Sequence, residues 1–263
     1  MAPIHDAVRF FDVEALRREL ARGVSPNLTM DDDEGDDVCT LLYFTVLFKS
    51  GLQEFAKERL ADRVACVAAL LEAGAAVNAT SYYNETVLHI AVTYEAYGDI
   101  IDLLIAAGAD VNALDRGALS ALVLVAEIGC AAVVKKLISA GARDLDDALV
   151  RAVSNGRLHC CAPLLRAGAA LPAEETTDGI LRNYDDAPNH RDGLLIIRAR
   201  AYIAKISGTP GGFRGYEREH RRRLTVVFAN KFPTLPLDVI SHIVLLWAHC
   251  GDYDYEGYAD AEE

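Results

Sequence analysis

The sequence predicts an all-α solenoid of about five helix–turn–helix units in a row, with short β-hairpin fingers between units and a helical segment capping the C-terminal end. Two observations carry this. The phrase LLEAGAAVNA (Leu70–Ala79) recurs as LLIAAGADVNA (Leu103–Ala113), and LISAGARDL (Leu137–Leu145), LLRAGAAL (Leu164–Leu171) and ELARGVSPN (Glu19–Asn27) echo it more weakly. The glycines inside these phrases, Gly23, Gly74, Gly108, Gly141 and Gly168, are separated by 51, 34, 33 and 27 residues.

Each of these glycines follows an apolar helical stretch, at the position where a helix stops in a left-handed turn. Upstream of each lies a shorter apolar segment: Ile4–Val8, Leu41–Val46, Val87–Val92, Ala121–Ala126 and Ala148–Val153. The unit is therefore helix, tight turn, helix, glycine stop, extended loop. So small a pair cannot bury its apolar face alone, so neighbours must stack into one continuous core. The irregular spacings resolve into insertions near residues 28–39 and 49–61. Asn27 to Thr40 spans 13 positions where Asn78 to Thr86 spans 8, so the second finger is about five residues longer, and about thirteen extra residues lie between Phe48 and Asp62. In the fifth unit the segment Arg143–Asp147 is about six residues short, which predicts a tight turn in place of a hairpin.

Past Leu171 the repeat stops. Residues 172–193 read as a polar linker, and residues 194–250 as a helical segment with helices expected over Leu194–Ile206, Arg218–Asn230 and Phe232–His249. Ser207–Gly212 between the first two reads as a flexible hinge, and Pro236 stands near the first turn of the third. Residues 251–263 alternate Asp or Glu with Tyr253, Tyr255 and Tyr258 and read as an acidic, mobile tail.

The pattern in residues 1 to about 171 resembles the ankyrin-repeat family. The third unit, NETVLHIAV…DIIDLLIAAGADVNA (Asn84–Ala113), is close to the family's TPLHLAA…VVxLLLxxGADVNA and departs at Val87, where the family prefers proline. The fourth unit keeps GCAAVVKKLISAGA (Gly129–Ala142) but carries Ser120-Ala-Leu-Val123 in place of the Thr-Pro-Leu-His turn, and Asp12–Leu20 is typical of an N-terminal cap. The resemblance implies a non-enzymatic module that binds another protein through its fingers and concave surface. It also implies a structural role for His89, whose ring would hold the turn by bonding backbone and the Thr86 hydroxyl, with His5 in the equivalent position of the first unit.

Composition narrows the alternatives. A net charge of −13 argues against general nucleic-acid binding, and the local run Arg214, Arg218 and Arg221–Arg223 is interleaved with Glu217 and Glu219, as on a solvated helix face. The longest apolar stretch, Val239–Ala248, is interrupted by Ser241 and His242 and is too short to span a bilayer. With no basic leader and no apolar leader at the N-terminus, the expected place is intracellular, cytoplasmic or nuclear, without membrane attachment. The six cysteines show neither a disulfide framework nor metal-ligand spacing and read as free thiols.

No catalytic residues, metal or cofactor are expected. His159 beside Cys160 and Cys161 resembles a nucleophile pair, but adjacent residues on a helix point about 100° apart, and both cysteines fall at core positions. The acid run Asp31–Glu34 with Asp36 and Asp37 lacks the glycine and glutamate positions of a calcium loop. What remains is surface. Tyr82, Tyr83 and Glu85 on the third finger, Thr93 and Tyr94 at the end of that unit's first helix, and Arg116 and Leu119 on the fourth finger are the candidate partner-binding residues. The partner is another protein, and the chain itself is expected to be monomeric. Leu235–Trp247 is weakly similar to the Leu-Pro start of F-box and SOCS-box segments, which would make ubiquitin-ligase components a second class of partner. The competing expectation is that Ile240, Ile243, Val244 and Trp247 cap the open end of the array.

Overall fold

The computed structural model describes residues 3–31, 38–47, 59–93, 98–172 and 191–249. The acid run beyond Asp31, most of the insertion after Phe48, Tyr94, most of the linker, and the tail lie outside them. The chain divides into two compact units, residues 1–148 and 149–263.

In the first unit, helices α1 (Pro3–Arg9), α3 (Leu41–Val46), α5 (Val87–Thr93) and α7 (Ala121–Ile128) are the first members of successive pairs. Helices α2 (Val13–Ala21), α4 (Leu60–Glu72), α6 (Gly98–Ala106) and α8 (Ala131–Ser139) are the second. Contacts run α1 to α3, α3 to α5 and α5 to α7 in one layer, and α2 to α4 and α4 to α6 in the other. Among the described residues each pair thus packs mainly on its neighbours. The inner helices α3, α5 and α7 are short and almost wholly apolar, as burial on several sides requires. In α5 every residue from Val87 to Val92 is buried, and in α3 only Phe44 is not. The outer helices are amphipathic, with Leu16, Leu70, Leu104 and Leu137 turned inward and fully buried.

Helix ends are set by local chemistry. Asp12 caps α2 by accepting the Ala15 N–H at 2.9 Å, and Thr40 caps α3 by accepting the Tyr43 N–H at 3.2 Å. The five stop glycines all have φ between +84° and +110°. At Gly74 the Ala75 N–H reaches back to Leu70 O (2.9 Å) and the Gly74 N–H to Leu71 O (3.0 Å). This double bond pattern uses two carbonyls that the helix leaves open, and it needs the left-handed residue between them.

The fingers differ in how far their strands pair. The long second finger pairs two true strands, β1 (Thr29–Asp31) and β2 (Val38–Thr40), antiparallel with Thr29 opposite Thr40. In the third and fourth fingers the pairing shrinks to single bridges, Thr80 to Thr86 and Leu114 to Ser120. After Gly141 the chain enters α9 (Leu145–Ser154) within four residues, with no strand pairing among the described residues.

The second unit holds the C-terminal part of α9, then α10 (Leu158–Ala167), α11 (Arg191–Ser207), α12 (Gly212–Lys231) and α13 (Leu237–His249). Helix α12 begins six residues before the expected Arg218, because the Ser207–Gly212 segment makes a tight turn with Gly211 at φ +84° instead of a hinge. Helix α11 packs on α10 and buries Ile196, Ala199, Ile203 and Ile206. Here the capping expectation is redirected. Ile240 and Val244 pack against Leu224, Phe228 and Ala229 of α12, so α13 covers its own neighbour and α11 covers α10. The five-residue loop between α12 and α13 folds the latter straight back onto the nearest apolar stripe. The side chain of Trp247 lies outside the described residues.

Candidate protein-binding surface

Three sets of polar contacts fix the fingers, and they decide which finger side chains are left for a partner. The first is the His89 ring. Buried to 1% exposure, it accepts the Thr86 N–H at Nδ1 (3.1 Å), lies 2.8 Å from the Thr86 hydroxyl, and donates from Nε2 to Leu119 O (3.2 Å) on the next finger. The accepted backbone N–H places the ring proton on Nε2. In the fourth unit Val123 stands where the ring would be, and the Ser120 hydroxyl is buried with no hydrogen-bond partner among the described residues. In the first unit His5 Nε2 is likewise buried, with no hydrogen-bond partner among the described residues. In the second, Tyr43 takes the histidine position and sends its hydroxyl to Glu85 Oε2 at 3.0 Å.

The second set is an asparagine ladder. Asn27 accepts the Ala76 N–H (2.7 Å) and donates to Gly74 O (3.4 Å). Asn78 repeats this with Asp110 (2.8 Å) and Gly108 (3.2 Å), and Asn112 with Arg143 (2.9 Å) and Gly141 (3.2 Å). Each amide clips one unit's loop to the loop of the next. The recurring Asn of the sequence phrase is its signal, but nothing in the one-dimensional pattern says where an amide points.

The third set joins fingers three and four. Asn84, at φ +59°, donates to Leu114 O at 2.6 Å, and the Arg116 N–H donates to Tyr83 O at 2.9 Å. The Ser81 hydroxyl accepts the Tyr83 N–H, and the Asp115 carboxylate accepts the Leu119 N–H. Both are side-chain mimics of a turn.

Against this frame the candidate residues separate. Tyr82 and Tyr83 stand out from the finger at 70% and 53% exposure, edge to face with centroids 5.4 Å apart. The Arg116 guanidinium lies over the Tyr82 ring at 5.5 Å, so the structure brings these three together. Glu85 turns the other way, half-buried, to Tyr43. Leu119 is half-buried, and its main chain is engaged by His89 and Asp115. Thr93 is exposed and donates its hydroxyl to His89 O at 2.9 Å, while Tyr94 lies outside the described residues.

Cys160 is fully buried, while its neighbour His159 on α10 is exposed. Burial pushes the Cys161 thiol up to about 12, with the neighbouring Cys160 adding to it. Burial, then Asp62, does the same for Cys66. Neither is a thiolate near neutrality. Among the described residues no group of His, Cys, Asp or Glu is arranged to hold a metal ion, and no helix is long and apolar enough to cross a membrane. In the basic run on α12, Arg221 lies 3.4 Å from Glu217 and Arg223 3.3 Å from Glu219.

This architecture of short helix pairs, glycine stops and fingers clipped to their neighbours defines an ankyrin-repeat fold. The ankyrin-repeat family model matches residues 83–116, the stretch that carries the Tyr82–Tyr83–Arg116 junction almost whole. Two solved structures share the fold. One is the human ASB11 ankyrin repeat domain, at 19% identity and TM-score 0.51, covering 76% of this chain and 98% of that one. The other is an ankyrin repeat domain from Acinetobacter baumannii AYE, at 23% identity and TM-score 0.54, covering 75% and 97%. No curated protein matches the sequence.

Proposed function

We propose that the chain is a non-enzymatic interaction module whose partner protein meets the junction of fingers three and four at Tyr82, Tyr83 and Arg116. The observation that carries this is two large aromatic side chains held more than half exposed on a finger whose backbone is pinned by its neighbours. A rigid platform with amphipathic rings has only two torsions per ring to freeze, so binding costs it little entropy. The T-shaped pair and the stacked guanidinium reduce that cost further. Affinity capture from the native cell, comparing the wild-type chain with Tyr82→Ala/Tyr83→Ala, tests the reading. A protein retained by the first and lost by the second supports it, and identical captures contradict it.

A second reading, a ubiquitin-ligase adaptor that recruits through Leu235–Trp247, is favoured by one observation. Leu235, Leu237 and Val239 stay exposed at the start of α13, beside an apolar pocket of about 190 Å3 lined by Phe228, Phe232, Leu235, Ile240 and Ile243. Co-purification of ligase components that is lost with Leu237→Asp would support it.

A further inference from the structure

We propose that the acidic tail, residues 251–263, docks on the arginine face of α12. Helix α12 carries an open groove of about 580 Å3 lined by Gly211, Arg214, Glu217, Arg218 and Arg221. One of its three arginines is committed: Arg221 pairs with Glu217, which also accepts Arg166 Nε at 2.7 Å. Arg214 and Arg218 have no ion pair among the described residues. Glu217 is therefore shared between two other cations, and the groove is left with net positive charge in a chain whose total is −13.

The path of the chain supplies the occupant. Helix α13 folds back on α12 through the Leu224–Ile240–Val244 contact. Running back about 18 Å from Leu237 at 1.5 Å per residue, its end at His249 comes level with about Glu219, next to Arg218 and about one and a half turns from Arg214. The residues that follow are the most acidic remaining stretch of this half, with Asp252, Asp254, Glu256, Asp260, Glu262 and Glu263. Their spacing also fits. Arg214 and Arg218, four apart on a helix, share a face and stand about 6 Å apart. In an extended chain Asp252 and Asp254 share a face about 6.6 Å apart, so the two carboxylates can meet the two guanidinium groups in register, with Tyr253 and Tyr255 on the opposite side. Single exposed ion pairs are weak, but the tail is tethered beside the groove, and a short tether supplies a local concentration on the order of millimolar.

Nitrogen-15 relaxation of the full chain tests this. At about 0.05 M salt we expect order parameters above about 0.6 for Asp252–Glu256. Raising salt to about 0.5 M shortens the screening length severalfold and should release the segment to below that value. Arg214→Glu with Arg218→Glu should do the same while the Leu224, Ile240 and Val244 methyl signals stay in place. Should that variant fail to fold, Asp252→Asn, Asp254→Asn and Glu256→Gln make the same cut from the tail side. A tail below about 0.6 at low salt overturns the proposal. So does an ordered tail indifferent to both sets of substitutions. Finally, a single-stranded RNA oligomer that binds the full chain as tightly as a chain ending at Cys250 would show the groove to be open and the tail not its occupant.

Discussion

His89→Val copies into the third unit what the fourth already has, and the two units then serve as mutual controls. The substitution removes the acceptor of the Thr86 N–H, which is buried at 3% exposure, and one donor to Leu119 O. The carbonyl of Leu119 keeps the Asp115 N–H at 3.0 Å, so the main loss is one orphaned backbone donor, together with the inter-finger bond. An unsatisfied buried group costs about 1–3 kcal/mol and a lost hydrogen bond about 1. The apolar valine returns part of this, leaving a net loss of about 2–3 kcal/mol. For a chain of this size that is a Tm lower by about 4–12 °C. Ser120→Ala, by contrast, removes a buried hydroxyl that has no hydrogen-bond partner among the described residues. It should be neutral, or stabilising by up to about 1 kcal/mol. Urea unfolding followed by circular dichroism reads both. A His89→Val midpoint within error of wild type, or a Ser120→Ala loss above about 1 kcal/mol, would refute the view that the histidine ring is a structural lock.

Three further outcomes follow from the same geometry. Gly156→Ala should destabilise by about 2 kcal/mol or more in thermal unfolding, because at φ +67° an added Cβ would sit 2.6 Å from Leu195 Cβ and 2.8 Å from Ile196 N. Ala118→Gly should gain about 0.5–1 kcal/mol, since Ala118 holds φ +58° and the strain relieved exceeds the entropy glycine adds to the unfolded chain. Cys66 and Cys161 are held neutral when folded but ionise near 9 when unfolded, so above that pH the unfolded chain binds fewer protons and stability falls as pH rises toward about 12. Cys66→Ala/Cys161→Ala should flatten that decline in urea midpoints measured between pH 8 and pH 10.5, and an unchanged slope would count against buried neutral thiols.

Much of the array was legible because its signals are local and repeated. The five glycine stops, the helix pairs and the length of the second finger follow from spacing alone, and Thr86–His89 is a fixed-offset motif. The asparagine ladder was visible as a recurrence but not as a contact, since its bonds join residues 29 to 49 apart. Glu85 illustrates the limit more sharply. On its finger it reads as surface, yet Tyr43, 42 residues earlier, occupies the histidine position of its own unit and draws the carboxylate inward. Only the stacking of units sets that pairing. Arg116 over Tyr82 is equally non-local, and there the finger residues do converge. The C-terminal helices lack a repeat to calibrate them, so the apolar stripe of α13 shows that it packs but not on what.

The central claim is that the exposed tyrosines of the third finger bind a protein and do not hold the fold. Its most direct test is calorimetric titration of the captured partner into wild-type chain and into Tyr82→Ala/Tyr83→Ala, with melting curves for both. We expect affinity to fall by about 2 kcal/mol or more, roughly thirtyfold, at an unchanged Tm. Full affinity in the double variant, or a Tm lower by several degrees, would contradict the claim.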